Sequence, residues 1–144
     1  MNKTSDVIDK INARLETLRE YLKILKSLKG VSGTELARNI DKRAKAERYL
    51  QLAIEACIDI AELIISDRRL PVPKTSREAI EILGREGIIN KKLAFDFAPA
   101  VGFRNILIHD YLEIDYEQVA DKINNRLGDF KKFAQQVAKF YFAP

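Results

Sequence analysis

The stretch Ala46-Glu47-Arg48-Tyr49-Leu50-Gln51-Leu52-Ala53-Ile54-Glu55-Ala56-Cys57-Ile58-Asp59-Ile60-Ala61-Glu62-Leu63-Ile64 decides the fold. Its apolar stripe, Ala46, Leu50, Ala53, Cys57, Ile60 and Ile64, advances in steps of three and four, the period of an α-helix. One long helix from about Asp41 to Ser66 is therefore predicted. The small residues on the stripe let a neighbouring helix approach closely.

Upstream, Ile8, Ile11, Leu15, Leu18, Leu22 and Leu25 repeat the pattern and predict a helix from about Ser5 to Lys29, with Gly30 and Gly33 marking its stop and a short loop. Downstream, Arg68-Arg69-Leu70-Pro71-Val72-Pro73 reads as a connector, since neither proline donates an N–H to a helix. Thr75-Ser76-Arg77-Glu78 fits a capping box opening a short helix that ends at Gly84 or Gly87. Asn90 caps the next helix, whose stripe is Leu93, Phe97, Val101 and Leu107, and Pro99 and Gly102 are expected to bend or loosen it. Asp115 with Gln118 looks like a further cap pair before a last helix carrying Val119, Ile123, Leu127, Phe130, Phe133, Val137 and Phe140. No segment alternates as a strand does, and no internal repeat is visible. The expected architecture is an all-α, up-and-down bundle of about five helices, forming a single domain over residues 1–144.

Composition narrows the function. Hydrophobic residues make up 47% of the 144, enough for a core without disulfides or metal. The net charge of +4 permits a polyanionic partner without demanding one. Residues 1–50 hold twelve Lys/Arg against seven Asp/Glu, and Arg38, Lys42, Arg43, Lys45 and Arg48 are the densest run. Such a run is first a solvated helix face and second a phosphate contact. Neither an export signal nor an apolar run of ~20 residues is present in the sequence, so a cytoplasmic protein without membrane contact is expected.

Metal and cofactor chemistry finds little footing. With one His and one Cys, a zinc set of sulfur and nitrogen ligands cannot be assembled in the chain. Glu55, Asp59 and Glu62 share a helix, but their spacing is equally that of a solvated face. No glycine-rich phosphate loop occurs, and Cys57, among Ala53, Ile54, Ile58 and Ile60, reads as an inert core thiol. No cofactor is expected.

That leaves His109, the natural proton carrier near neutral pH. Alone it is more readily a helix-end residue bonded to a carbonyl. Its neighbours give it a chemical context: Arg104 lies five positions earlier, about 140° around an ideal helix, and Asn105, four positions earlier, shares its face. Leu107 and Ile108 are expected to anchor the segment to the core. A guanidinium matches phosphate oxygens and an imidazole moves protons, a pairing suited to attack of an RNA 2′-OH on its adjacent phosphodiester. That reaction needs two proton transfers, and each chain holds one histidine. A homodimer with the site at its interface is the expectation.

The run Arg104-Asn105-Ile106-Leu107-Ile108-His109-Asp110-Tyr111 resembles the R-x-x-x-x-H-x-Y signature of HepT-like proteins, a minimal branch of the HEPN ribonucleases. Glu47–Ala61 is similar to the family's long second helix, and Val101-Gly102-Phe103 and Leu112-Glu113-Ile114-Asp115 are similar to its usual flanks. The resemblance implies a metal-independent endoribonuclease toxin acting on RNA, with Arg104 and His109 catalytic and Asn105 as a supporting polar contact. It further implies a partner similar to MntA, a minimal nucleotidyltransferase antitoxin that transfers AMP from ATP to the motif tyrosine, here Tyr111. Asp59 and Arg48 are candidates to line the cleft or, alternatively, to form salt bridges at the core edge. The competing expectation is a non-catalytic helical subunit that binds substrate for a nucleotidyltransferase.

Overall fold

The computed structural model describes residues 3–109 and 111–142, with seven α-helices among them. They are α1 (Lys3–Lys26), α2 (Gly33–Arg38), α3 (Ile40–Asp67), α4 (Ser76–Arg85), α5 (Lys91–His109), α6 (Tyr116–Asp121) and α7 (Leu127–Phe142). A 3-10 turn spans Tyr111–Glu113, and a π-helical segment, Lys122–Arg126, joins α6 to α7 without a break. Counting that continuous rod once, the chain folds into six helices, all-α as expected, with α3 packed against α1, α2, α4, α5 and α7.

Helix α3 is central because its stripe faces inward along its whole length. Ala46, Leu50, Ala53, Cys57, Ile60 and Ile64 are all at most 1% exposed. Burying each large aliphatic side chain contributes about 1.5–3 kcal/mol. Asn39 caps the helix by accepting from the Lys42 N–H at 3.1 Å, so that α3 opens at Ile40, one residue before the expected start. From α1, Ile11, Leu15, Leu18 and Leu25 close over it, with Leu22 half-buried.

Five local expectations are corrected. Gly33 does not extend a loop; it opens α2, which Ser32 caps by accepting from the Glu35 N–H at 3.0 Å, while Gly30, at φ +93°, makes the turn. The capping box at Thr75 is half as expected: its hydroxyl accepts from the Glu78 N–H, but the Glu78 carboxylate reaches the Lys74 N–H. Asp115 caps through the Glu117 N–H, and Gln118 contributes only its backbone N–H, to the Asp115 carbonyl. Pro99 and Gly102 leave α5 helical through to His109. Phe140 is not core; it is 41% exposed, with the Arg68 guanidinium 5.0 Å from its ring centre.

The interface that fixes α5 in place is a close approach. A Cβ on Gly84 of α4 would lie 2.5 Å from Ala94 Cβ on α5, so glycine is what lets these two helices touch. Asn90 caps α5 by accepting from the Leu93 N–H at 2.7 Å. Leu93, Phe97 and Val101 then point into the core, Phe97 stacked on Phe133 and edge-on to Phe130.

Candidate nuclease site

Helix α5 ends in the segment that carries the expected chemistry. Arg104 follows Phe97 and Val101 at helical spacing, so it continues the inward-facing stripe where the core runs out. The result is a half-buried guanidinium. Its Nη2 donates to Asn105 Oδ1 at 3.0 Å, and its Nε is closed off from solvent with no hydrogen-bond partner among the described residues. An unpaired buried donor on a cation is costly, and such groups concentrate where a ligand supplies the acceptor.

Across from Arg104 stands α3. Burial pushes the Asp59 carboxyl above its usual range; the Arg14 guanidinium draws it back, Glu55 one turn away adds to the rise, and Arg104 lowers it. Arg14 reaches Asp59 at 3.7 Å, and a cavity of about 290 Å³ opens among Arg14, Asp59, Glu62, Leu63 and Ser66. Arg104 is thus bonded to Asn105 and lies near enough to Asp59 for the two charges to act on each other. Of the two roles weighed for Asp59, the salt bridge is present. Among the described residues no three His, Cys, Asp or Glu side chains gather as a metal set, and Glu55, Asp59 and Glu62 are an edge of α3.

His109 is the last residue of α5 and is exposed. The helix does not loosen after Ile108, so Arg104 and His109 keep their helical separation, and no hydrogen bond joins them among the described residues. Asn105 and His109 do share a face. Leu107, 8% exposed, anchors the segment as expected, but Ile108 is 37% exposed and Ile106 packs against the core in its stead. Asp110 lies outside the described residues, as does the side chain of Tyr111, whose backbone starts the 3-10 turn.

One face of α5 went unread in the sequence. Phe95, Pro99, Gly102, Ile106 and His109 recur in steps of four and three along a single side. Phe95 is 81% exposed, Gly102 has open space above it, and Leu112, just past the helix, is 84% exposed. Apolar residues in open solvent at helical spacing are the pattern of a helix that meets another surface.

The basic run of α2 and α3 is partly committed to structure. Lys42 pairs with Glu35 at 2.9 Å; Arg43 donates to the Ala37 carbonyl and lies 5.7 Å from the Tyr116 ring centre. Tyr116 itself donates to Glu47 at 2.7 Å, and burial with that bond pushes its phenol to about 12. Cys57 is fully buried, and burial raises its thiol well above the ordinary value, as an inert core residue requires. Asn124, in the π-helical segment, accepts from the Gly30 N–H and donates to the Val31 carbonyl, tying the α1–α2 turn to the last helix; no sequence signal marked it.

The Ribonuclease HepT-like family model matches residues 18–137, and the chain belongs to that family. It is 33% identical over 130 residues to the tRNA nuclease HepT of Aphanizomenon flos-aquae, covering 90% of this chain and 88% of that one. It is 30% identical over 125 residues to the mRNA nuclease HepT of Shewanella oneidensis, covering 87% and 93%. Among solved structures, the tri-AMPylated Shewanella oneidensis HEPN toxin in complex with MNT antitoxin superposes with a TM-score of 0.80 at 28% identity, over 95% of this chain and 98% of that one. A toxin–antitoxin crystal structure with AMP-PNP matches with the same score at 27% identity, over 95% and 99%.

Proposed function

We propose that this chain is a single-domain, cytoplasmic endoribonuclease toxin that cleaves RNA without metal, as a homodimer. The observation that carries the reading is the half-buried Arg104, whose Nε has no partner among the described residues, on the same helix end as the chain's only histidine. The cation takes the phosphate and offsets charge as the phosphorane forms. One imidazole accepts the 2′-OH proton, the 2′-oxygen bonds to phosphorus, and a protonated imidazole delivers its proton to the departing 5′-oxygen. A 2′,3′-cyclic phosphate and a 5′-hydroxyl result. His109 of each chain supplies one imidazole, and the exposed face of Phe95, Pro99 and Gly102, edged by the half-buried Ile106, is where the second copy seats.

Control comes through Tyr111. A minimal nucleotidyltransferase antitoxin moves AMP from ATP to its phenol oxygen, with pyrophosphate leaving. The support is the tri-AMPylated, antitoxin-bound state of the Shewanella oneidensis toxin and the place of Tyr111 two residues after His109. A bulky anion there blocks the site and repels the RNA phosphate.

The test is cleavage of total RNA in excess chelator by the wild type, Arg104→Ala and His109→Ala. The wild type is expected to yield cyclic-phosphate ends, with each variant slower by about 10²-fold or more. Equal rates, or no cleavage by any of the three, refute the proposal. Intact mass after incubation with a cognate nucleotidyltransferase and ATP tests Tyr111: added AMP that persists in Tyr111→Phe refutes that assignment.

A further inference from the structure

Between α1 and α7 runs a groove of about 850 Å³, separate from Arg104 and His109. Its floor is hydrocarbon: Leu22, Leu127, Ala134, Ala138 and Phe142. Leu22, Leu127 and Ala138 are only half-buried, and Phe142 is 43% exposed. Its rim carries Arg19 and Lys26 from α1, Lys29 from the turn that follows it, and Lys131 and Lys139 from α7, with no carboxylate among the lining residues. Five cations facing one trough is a local excess larger than the net charge of the whole chain.

The shape follows from helix geometry. On α7 the lining residues Leu127, Lys131, Ala134 and Ala138 recur in steps of four and three, which is the ladder one helix presents to another. Gly128, Ala134 and Ala138 are small, so the trough has depth where a larger side chain would have filled it. From Leu127 to Phe142 it extends about 22 Å, or four helical turns. An RNA backbone would satisfy the rim and leave the floor in contact with water. A helix with leucine-like residues on one side and carboxylates flanking them satisfies both, its apolar ridge on the floor and its acids against the lysines.

We infer that the α1–α7 groove is a docking site for an acidic amphipathic helix of a partner protein. The site stands apart from the nuclease reading, since it shares none of the residues assigned to RNA chemistry. Its rim gives a salt-sensitive approach and its floor gives the salt-insensitive part of the affinity.

The test uses the full chain and a fluorescent 16-residue synthetic helix with leucines at i, i+3, i+4 and i+7 and glutamates beside them, read by anisotropy. Saturable binding is expected, weakened roughly tenfold or more by the double reversal Lys26→Glu/Lys131→Glu. The same peptide with lysines for glutamates is expected not to bind. Circular dichroism of the double variant keeps a folding failure distinct, and Ala138→Gln, which makes the floor polar while keeping every charge, serves as the second variant and is expected to weaken binding as well. No saturable binding, equal binding of the lysine peptide, or wild-type affinity in both variants overturns the inference. So does a single-stranded RNA oligonucleotide that displaces the acidic peptide and loses its own binding in Lys26→Glu/Lys131→Glu, which would make the groove an RNA surface. The titration needs no nuclease activity, so its failure says nothing of RNA cleavage.

Discussion

The contact that places α5 can be tested by adding one methyl group. Gly84 lies inside α4, where glycine is ordinarily worth about 1 kcal/mol less than alanine. Helix propensity alone therefore predicts that Gly84→Ala stabilises. The structure predicts the reverse. The new Cβ would stand 2.5 Å from Ala94 Cβ, whereas carbon atoms rest at about 3.5–4.0 Å, so α4 and α5 must part by about 1 Å or more. Overpacking of that kind costs about 1–3 kcal/mol against a propensity gain of about 1 kcal/mol, leaving a net loss of up to about 2 kcal/mol. For a chain of this size that lowers Tm by up to about 6 °C. Ala94→Gly alone costs about 1.5–2 kcal/mol, from lost propensity and one buried methyl. In Gly84→Ala/Ala94→Gly the methyl has moved across the interface, and stability should return to within about 0.5 kcal/mol of wild type. Gly128→Ala, with nothing within 4 Å of its Cβ, is the control and should be neutral or slightly stabilising. Thermal and urea unfolding of the five proteins measures all of this. A stabilised Gly84→Ala, or single effects that simply add in the double variant, would refute the close approach.

Two further predictions concern surfaces and pH. Gly102→Trp adds a large side chain where the single chain has open space, so its folding stability should hold while sedimentation shows monomer and RNA cleavage falls away; a dimeric, active Gly102→Trp contradicts the proposed dimer face. The Tyr116 phenol, pushed to about 12 by burial and its bond to Glu47, gives up its proton later in the folded chain than in the unfolded one. Its contribution is full below the unfolded value of about 10 and is lost as pH rises toward 12. Ultraviolet titration should show a phenol transition near 12 that vanishes in Tyr116→Phe, with about 1 kcal/mol lost at neutral pH. A transition near 12 that survives in Tyr116→Phe refutes the assignment.

Much of this was legible because periodicity is a strong signal over long segments. The stripe from Ala46 to Ile64 repeats without interruption, and every member is buried. Helix α2 escaped notice because six residues with Leu36 as the single buried large apolar group carry no period. The π-helical turn at Lys122–Arg126 is equally silent, since it changes hydrogen bonding without changing the residue types a helix uses. At the site, Arg104 and His109 stood out by chemical type and spacing. The setting of Arg104 was legible only in part: the resemblance pointed to Asp59 on α3, but Arg14 comes from α1, and only tertiary packing brings it near. Ile108 was misread as an anchor for a related reason: neighbouring apolar residues at a helix end differ in burial by where the core stops, which no local pattern records.

In the proposed dimer each chain holds half of a nuclease site. Purified heterodimers of differently tagged wild-type and His109→Ala chains test it most directly, with cleavage of RNA in chelator compared among the heterodimer and both homodimers. If one imidazole accepts the 2′-OH proton while the other serves the leaving oxygen, the heterodimer should cleave about 10²-fold or more slowly than wild type. A heterodimer retaining about half of the wild-type rate would mean that each chain acts alone, and would contradict the claim.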